Sequence, residues 1–218
     1  MQKRKYSVIV FDLGNVLIPF DYNILIKKLD IVEKGSGKHF FDTYFANYDF
    51  HRDFERGKIS DEKFIKRMLE ILDHTIDEET FCNYFSSIFK QNKEVTALLP
   101  TLKKNYKLIL LSNTNSIHEK YGWEHYDFLK YFDDLILSHK TGAVKPEEKI
   151  YRAVEKSSGS PEEEHIFIDD IEEYVNAAKS FGWDGVHFKD YDSLVTDLRL
   201  RNIIWNDLFS GTIFIFIS

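Results

Sequence analysis

Residues 8–17 read VIVFDLGNVL, an apolar run that ends in Asp12 with Gly14 two positions on. A carboxylate at the end of a buried strand costs free energy unless a partner or a reaction uses it. Other apolar runs end in polar groups too: Ser112 and Asn113 follow KLILL, and Asp169 and Asp170 follow HIFI. Clustered carboxylates repel unless a cation lies between them. Oxygen-only ligands on a rigid scaffold favour magnesium, which keeps several waters and takes one or two carboxylates plus phosphate. Asp12 and Asp170 suit that role, with the Gly14 carbonyl as a third oxygen. Each residue also has a plainer explanation. Acids at helix starts are common caps, Ser112 and Asn113 are ordinary turn residues, and Lys145 before Pro146 is a solvated lysine.

The order of elements decides how these groups meet. Residues 6–12, 107–113, 134–138, 165–170 and 184–189 are short β-rich apolar runs, as expected of strands buried on both faces. Helical patterns over 93–105, 115–131, 146–158 and 171–181 separate the later runs, with Pro146 placed to open the third and Gly182 following the last. Alternation of this kind predicts an α/β fold with a Rossmann-like parallel sheet of five strands. Residues 18–92 read differently, with apolar residues at three- and four-residue spacing throughout; Ser60 marks a helix start and Gly57 the end of the element before it. The expected organisation is a core of 1–17 with 93–200, an inserted helical domain of four helices over 18–92, and a tail of unknown role over 201–218. Open parallel sheets bind ligands beyond the carboxyl ends of their strands. Asp12, Ser112, Asn113, Asp169 and Asp170 are therefore expected on one edge, with the helical insertion above them as a lid.

Composition limits the partners. The chain has 218 residues, is 43% hydrophobic and 16% aromatic, and carries a formal net charge of -7. That charge argues against coating nucleic acid or an anionic membrane, and no run approaches the length of a membrane helix. Cys82 is the only cysteine, so neither an intrachain disulfide nor a cysteine zinc cluster can form, which fits a reducing cytoplasm. The basic-then-apolar start is broken by Asp12 and reads as the first strand rather than a signal peptide. The terminal GTIFIFIS is apolar but too short to span a bilayer.

The segments FDLGNVL, LSNT, KP and FIDD, in that order, resemble the four motifs of the haloacid dehalogenase superfamily, and the helical segment lies where that family carries its cap. ERGKISDEKF, LSNTNSIH and VKPEEKIY bring the chain closer to the subgroup of α-glucose-1-phosphate phosphatase and the N-terminal phosphatase domain of soluble epoxide hydrolase. The resemblance implies a magnesium-dependent phosphatase of a small phosphorylated metabolite, with a sugar phosphate favoured, acting as a monomer or homodimer. Asp12 would be the nucleophile, forming an aspartyl-phosphate that water hydrolyses. Ser112, Asn113, Lys145 and the backbone near Leu13 and Gly14 would bind phosphoryl oxygens. Asp170 would ligate the metal directly, with Asp169 behind it.

Two positions depart from the family pattern. Most family phosphatases carry an aspartate at the position of Gly14, which protonates the leaving alcohol, and Asp or Asn at that of Tyr174. Without that acid the site should favour leaving groups that depart easily, since general acid catalysis contributes about 10² to 10⁴ in rate. His118 is a surrogate acid by its ordinary pKa, or simply a helix-surface histidine. Glu173 could stand in for the group missing at Tyr174, and Asp21 could meet a sugar hydroxyl or cap a helix. The same departures fit a catalytically weak phosphate-binding regulator. Dehalogenation fits less well, because that chemistry needs no paired acids.

Overall fold

A computed structural model describes residues 5–204. Its sheet has five parallel strands: β1 (Val8–Phe11), β2 (Lys107–Ser112), β3 (Asp134–Leu137), β4 (His165–Asp169) and β5 (Asp184–His187), in the order β3-β2-β1-β4-β5. β1 is central, with Val8 opposite Lys107 on one side and His165 on the other. That register sets the site. It ends β2, β1 and β4 side by side, so Ser112, Asp12 and Asp169 emerge on one edge although the chain separates them widely.

Alternation along β1 builds two apolar layers. Ile9 and Phe11 pack with Val95, Leu99, Leu102, Leu194 and Leu198 on one face. Val8 and Val10 pack with Ile150, Tyr151, Val154 and Ala178 on the other. The first layer is covered by α6 (Lys93–Thr96), α7 (Leu99–Leu102) and α12 (Tyr191–Leu200). The second is covered by α10 (Glu148–Ser158) and α11 (Glu172–Ser180).

Between β1 and α6 the chain forms α1 (Tyr22–Val32), α2 (Ser36–Ala46), α3 (Tyr48–Glu55), α4 (Asp61–Ile71) and α5 (Glu78–Ser86). These are five helices rather than the expected four, because Asn47 breaks the aromatic run into two. They bury a cluster of their own around Leu25, Phe40, Tyr44, Phe54, Phe64, Met68, Phe81 and Phe85. Ser60 caps α4 by accepting from Lys63 N at 3.3 Å, and Gly57 follows α3 with φ at 69°. The chain leaves and re-enters the sheet along one paired seam, where Lys90 N donates to Pro19 O and Asn92 N to Leu17 O, at 2.9 and 2.8 Å.

Two expected helices break. The pattern over 93–105 splits into α6 and α7 because Pro100 has no N–H for the carbonyl four residues back. The pattern over 115–131 becomes α8 (Ser116–His118), a π turn (Glu119–Trp123) and a 3₁₀ turn (Asp127–Tyr131). Gly122 lies in the π turn, where a Cβ would come within 2.8 Å of the Phe89 ring. The third helix starts at Glu148, two residues past Pro146. Among the described residues no helix is long and apolar enough to cross a membrane. GTIFIFIS lies outside the described residues.

Candidate active site

β1 and β4 end beside each other, and the turn after β4 brings up a third acid. Carboxylate oxygens of Asp12, Asp169 and Asp170 lie within 4.8 Å of one another. Lys145 reaches in from the loop after α9 (Ser138–Thr141), and its Nζ is 2.5 Å from both Asp12 Oδ1 and Asp169 Oδ2. Asp12, Asp169 and Lys145 are buried, so Lys145 is an internal counter-ion and not the solvated lysine of the plainer explanation. Burial works against its charge, but Asp12 and Asp169 outweigh it and hold its pKa above the ordinary lysine value. Asp12 is raised chiefly by burial, opposed by Lys145 and reinforced by Asp169 and Asp170. Asp170 is raised by burial, opposed by a hydrogen bond from Asn15 and reinforced by Asp169. One ammonium among three acids leaves the cluster short of positive charge. A hard divalent cation fits that donor set.

The turn after Asp12 supports the same cluster. Asn15, with φ at 53°, is the left-handed residue there, and its Nδ2 donates to Asp170 Oδ2 at 3.0 Å. Gly14 is not left-handed. A Cβ on Gly14 would lie 3.3 Å from the Phe20 ring edge and 3.8 Å from Asp12 Oδ2. A side chain there would therefore stand beside the Asp12 oxygen that Lys145 leaves free. The Gly14 carbonyl accepts from Val16 N at 2.6 Å, which uses one of its two lone pairs.

Beyond β2 the expected residues divide. Ser112 is buried and lines the cavity beside Asp12. Asn113 also lines it, but its amide is committed to the lysine loop. Oδ1 accepts from Lys145 N at 2.7 Å, and Nδ2 donates to Lys145 O at 3.2 Å and to the Tyr174 hydroxyl at 3.4 Å. Tyr174 sets its ring 5.1 Å from Lys145 Nζ, a cation–π contact, so it supports the lysine rather than the acids. Glu173 is exposed and does not line the cavity. Asp169 has both oxygens engaged, since Oδ1 accepts from Ile171 N at 2.8 Å.

The two substrate candidates take different places. Asp21 caps α1, its Oδ1 accepting from Asn23 N at 2.9 Å, and it is not among the residues lining the cavity. His118 lines the cavity but is buried, stacked on Phe85 at 4.3 Å between centroids. Burial, with the nearby His51, lowers its pKa to about 3, so it is a neutral imidazole at pH 7 and holds no surplus proton.

The cavity above the acids is about 280 Å³ and is partly walled by side chains of the helical insertion. Its charged wall was not foreseen. Arg52 on α3 donates from Nη2 to Lys145 O and from Nη1 to Glu55 Oε2, both at 3.0 Å. Glu55 Oε1 lies 3.3 Å from His51 Nε2, and His51 Nδ1 pairs with the Tyr44 hydroxyl. The signal available in the sequence was His51 and Glu55 four residues apart on the face that carries Phe54. Of the insertion's aromatics, Phe40, Tyr44 and Phe54 are core, whereas Phe45 and Tyr48 are exposed and line the cavity.

Known proteins resemble this chain over most of its length. Over 183 residues the chain is 25% identical to D-ribitol-5-phosphate phosphatase of Bacteroides thetaiotaomicron, covering 81% of this chain and 88% of the relative. It is 27% identical over 214 residues to the sesquiterpene phosphatase AstK of Aspergillus oryzae, covering 91% and 97%. A magnesium complex of a HAD family enzyme from Bacteroides thetaiotaomicron superposes with a TM-score of 0.75 at 25% identity, covering 88% of this chain and 99% of that one. The family model of the haloacid dehalogenase-like hydrolases matches residues 6–182. With the sheet order, the three clustered aspartates and the buried lysine in place, the chain belongs to that family.

Proposed function

We propose that the protein is a magnesium-dependent phosphatase of small phosphate monoesters that works through an aspartyl-phosphate on Asp12. The observation that carries this reading is the single cluster formed by Asp12, Asp169, Asp170 and Lys145 at one sheet edge. The relatives named above are phosphatases, and the paired acids suit a metal-dependent phosphoryl reaction rather than dehalogenation. Asp12, Asp170 and the free lone pair of the Gly14 carbonyl would hold the ion. When bound, magnesium offsets repulsion between the acids and an anionic phosphoryl group.

The chain's own residues perform the remaining steps. Lys145 pairs with Asp12 Oδ1 and opposes the burial that raises the pKa of that carboxyl, and as the carboxylate its Oδ2 is free to attack phosphorus. As the new O–P bond forms, the bond from phosphorus to the alcohol oxygen breaks and its electron pair leaves with that oxygen. Gly14 offers no proton, so the departing oxygen takes one from water. Water then attacks the aspartyl-phosphate and releases inorganic phosphate. Ser112 and the Leu13–Gly14 backbone flank the phosphoryl oxygens. Asn113 and Arg52 hold the lysine loop through the Lys145 carbonyl. Residues 18–92 act as the cap that closes over this chemistry, and 93–200 complete the core begun by 1–17. A sugar phosphate is the substrate class that the motif resemblance favours.

A panel of small phosphoesters tests the reading. Phosphate release should require magnesium and should fall to background in Asp12→Asn and in Asp170→Ala. Asp170→Ala should stay folded, because it removes an acid from a crowded group. Turnover by Asp170→Ala at the wild-type rate would overturn the metal assignment. No release from any ester would leave a phosphate-binding protein.

A further inference from the structure

The far wall of the cavity is made of rings. Phe89, Phe20, Tyr22, Phe45 and Tyr48 all line it and touch in sequence. Centroid separations are 6.3 Å for Phe89–Phe20, 5.6 Å for Phe20–Tyr22, 5.7 Å for Tyr22–Phe45 and 5.8 Å for Phe45–Tyr48, the last pair stacked within 7°. Folding normally hides such side chains, yet three of the five remain exposed. Phe20, Phe45, Tyr48 and Ile171 are exposed by 38%, 38%, 44% and 42%, and all four line this one cavity. Clustered exposed apolar surface marks a binding surface more often than scattered exposure does.

The acid and the histidine on the helical side of that wall are already paired. Glu55 is shared between His51 and Arg52, Arg52 also serves the Lys145 carbonyl, and His51 Nδ1 holds Tyr44. Asp21, which could have met a hydroxyl or capped a helix, caps α1. An alcohol rich in hydroxyls would lose water here and find few free partners, since the buried atoms along the cavity without one are His118 Nε2 and Trp123 Nε1. A flat ring would gain stacking contacts.

We infer that the enzyme selects phosphate monoesters whose alcohol carries an aromatic ring, the ring lying against Phe45 and Tyr48 while the phosphoryl group meets Asp12. The inference rests on the phosphatase reading of the site, and it departs from the sugar phosphate that the motifs favour.

Three esters of primary alcohols test it: 2-phenylethyl phosphate, ethyl phosphate and glucose 6-phosphate, each with magnesium. The ring-bearing ester should show kcat/KM at least about tenfold above both others. Tyr48→Ala and Phe45→Ala, which remove exposed side chains rather than core, should shrink the ratio of 2-phenylethyl to ethyl phosphate. Glucose 6-phosphate or ethyl phosphate processed as well as the ring-bearing ester would overturn the inference, as would a ratio unmoved by Tyr48→Ala. Acetyl phosphate, which has no ring and an easy leaving group, reports the phosphatase reading separately. If no ester releases phosphate, that reading fails, and calorimetry with magnesium and phosphonates decides the cavity's preference. Tighter binding of 2-phenylethylphosphonate than ethylphosphonate would then support the ring site, and equal affinity would overturn it.

Discussion

Lys145 Nζ lies 2.5 Å from Asp12 Oδ1, and neither residue has meaningful access to water. The ammonium is bound equally closely to Asp169, so it balances two carboxylates that the sheet forces together. Removing one member of a buried ion pair typically costs about 3–5 kcal/mol, because the other charge stays buried and unpaired. Lys145→Met should therefore lower stability by about that amount as well as abolish phosphate release. Asp12→Asn should cost less, since Asp169 still pairs with the lysine. Urea denaturation of the three proteins checks the order.

Arg52 gives a second prediction. Its two terminal nitrogens serve different partners, the Lys145 carbonyl and Glu55, in a fork that lysine cannot reproduce. Charge-assisted hydrogen bonds contribute about 1.5–3 kcal/mol each, so Arg52→Ala should reduce kcat/KM by about tenfold or more. Arg52→Lys should recover little. Steady-state kinetics on acetyl phosphate with both variants decides the point.

At Gly14 the prediction concerns leaving groups. Phenyl and 4-nitrophenyl phosphates should turn over much faster than 2-phenylethyl phosphate, and glucose 1-phosphate faster than its 6-phosphate isomer. Gly14 adopts no left-handed backbone, and a Cβ there meets only the movable edge of Phe20 at 3.3 Å. Gly14→Asp should therefore fold normally and set a carboxyl beside Asp12 Oδ2. It should flatten the dependence of log kcat on leaving-group pKa by recovering part of the 10² to 10⁴ that a general acid supplies, roughly an order of magnitude or more for the poorest leaving groups. An unchanged slope in a folded variant would count against a missing acid.

His118 predicts the response to acid. Its folded pKa of about 3 lies below the ordinary 6.5, so the unfolded chain binds a proton that the folded one refuses. Stability from this residue is complete above pH 6.5 and falls as pH drops toward 3. At pH 5 the loss is about 2 kcal/mol. Urea titrations at pH 7 and pH 5 should show that difference in the wild type and a smaller one in His118→Asn.

Much of this was readable from single residues. The strands were legible because Val, Ile, Leu and Phe fill them without the alternation of a half-exposed sheet. Parallel order then brings Asp12, Ser112 and Asp169 to one edge whatever the loops do. Lys145 was harder: its neighbours suggested solvent, and only the closed loop shows it under Phe167 and Tyr174. Asn113 looked like a ligand group but is bound to backbone 32 residues away. Arg52 reaches a carbonyl 93 residues on, a pairing that no local periodicity encodes. The helix breaks at Pro100 and Asn47 follow from local chemistry, whereas the one near Gly122 depends on where Phe89 packs.

The seam at Leu17–Pro19 and Lys90–Asn92 makes substrate choice a transplantable property. The chain departs and returns through adjacent hydrogen-bonded segments, so the two splice points for an exchange lie side by side. Three of the five wall rings precede α3, Tyr48 opens it, and the fifth, Phe89, sits at the return. The acids and Lys145 all stay behind in the host. Chimaeras that trade this stretch between relatives should inherit the donor's preference for alcohols while keeping the recipient's metal requirement, provided the donor also brings an arginine for the Lys145 carbonyl.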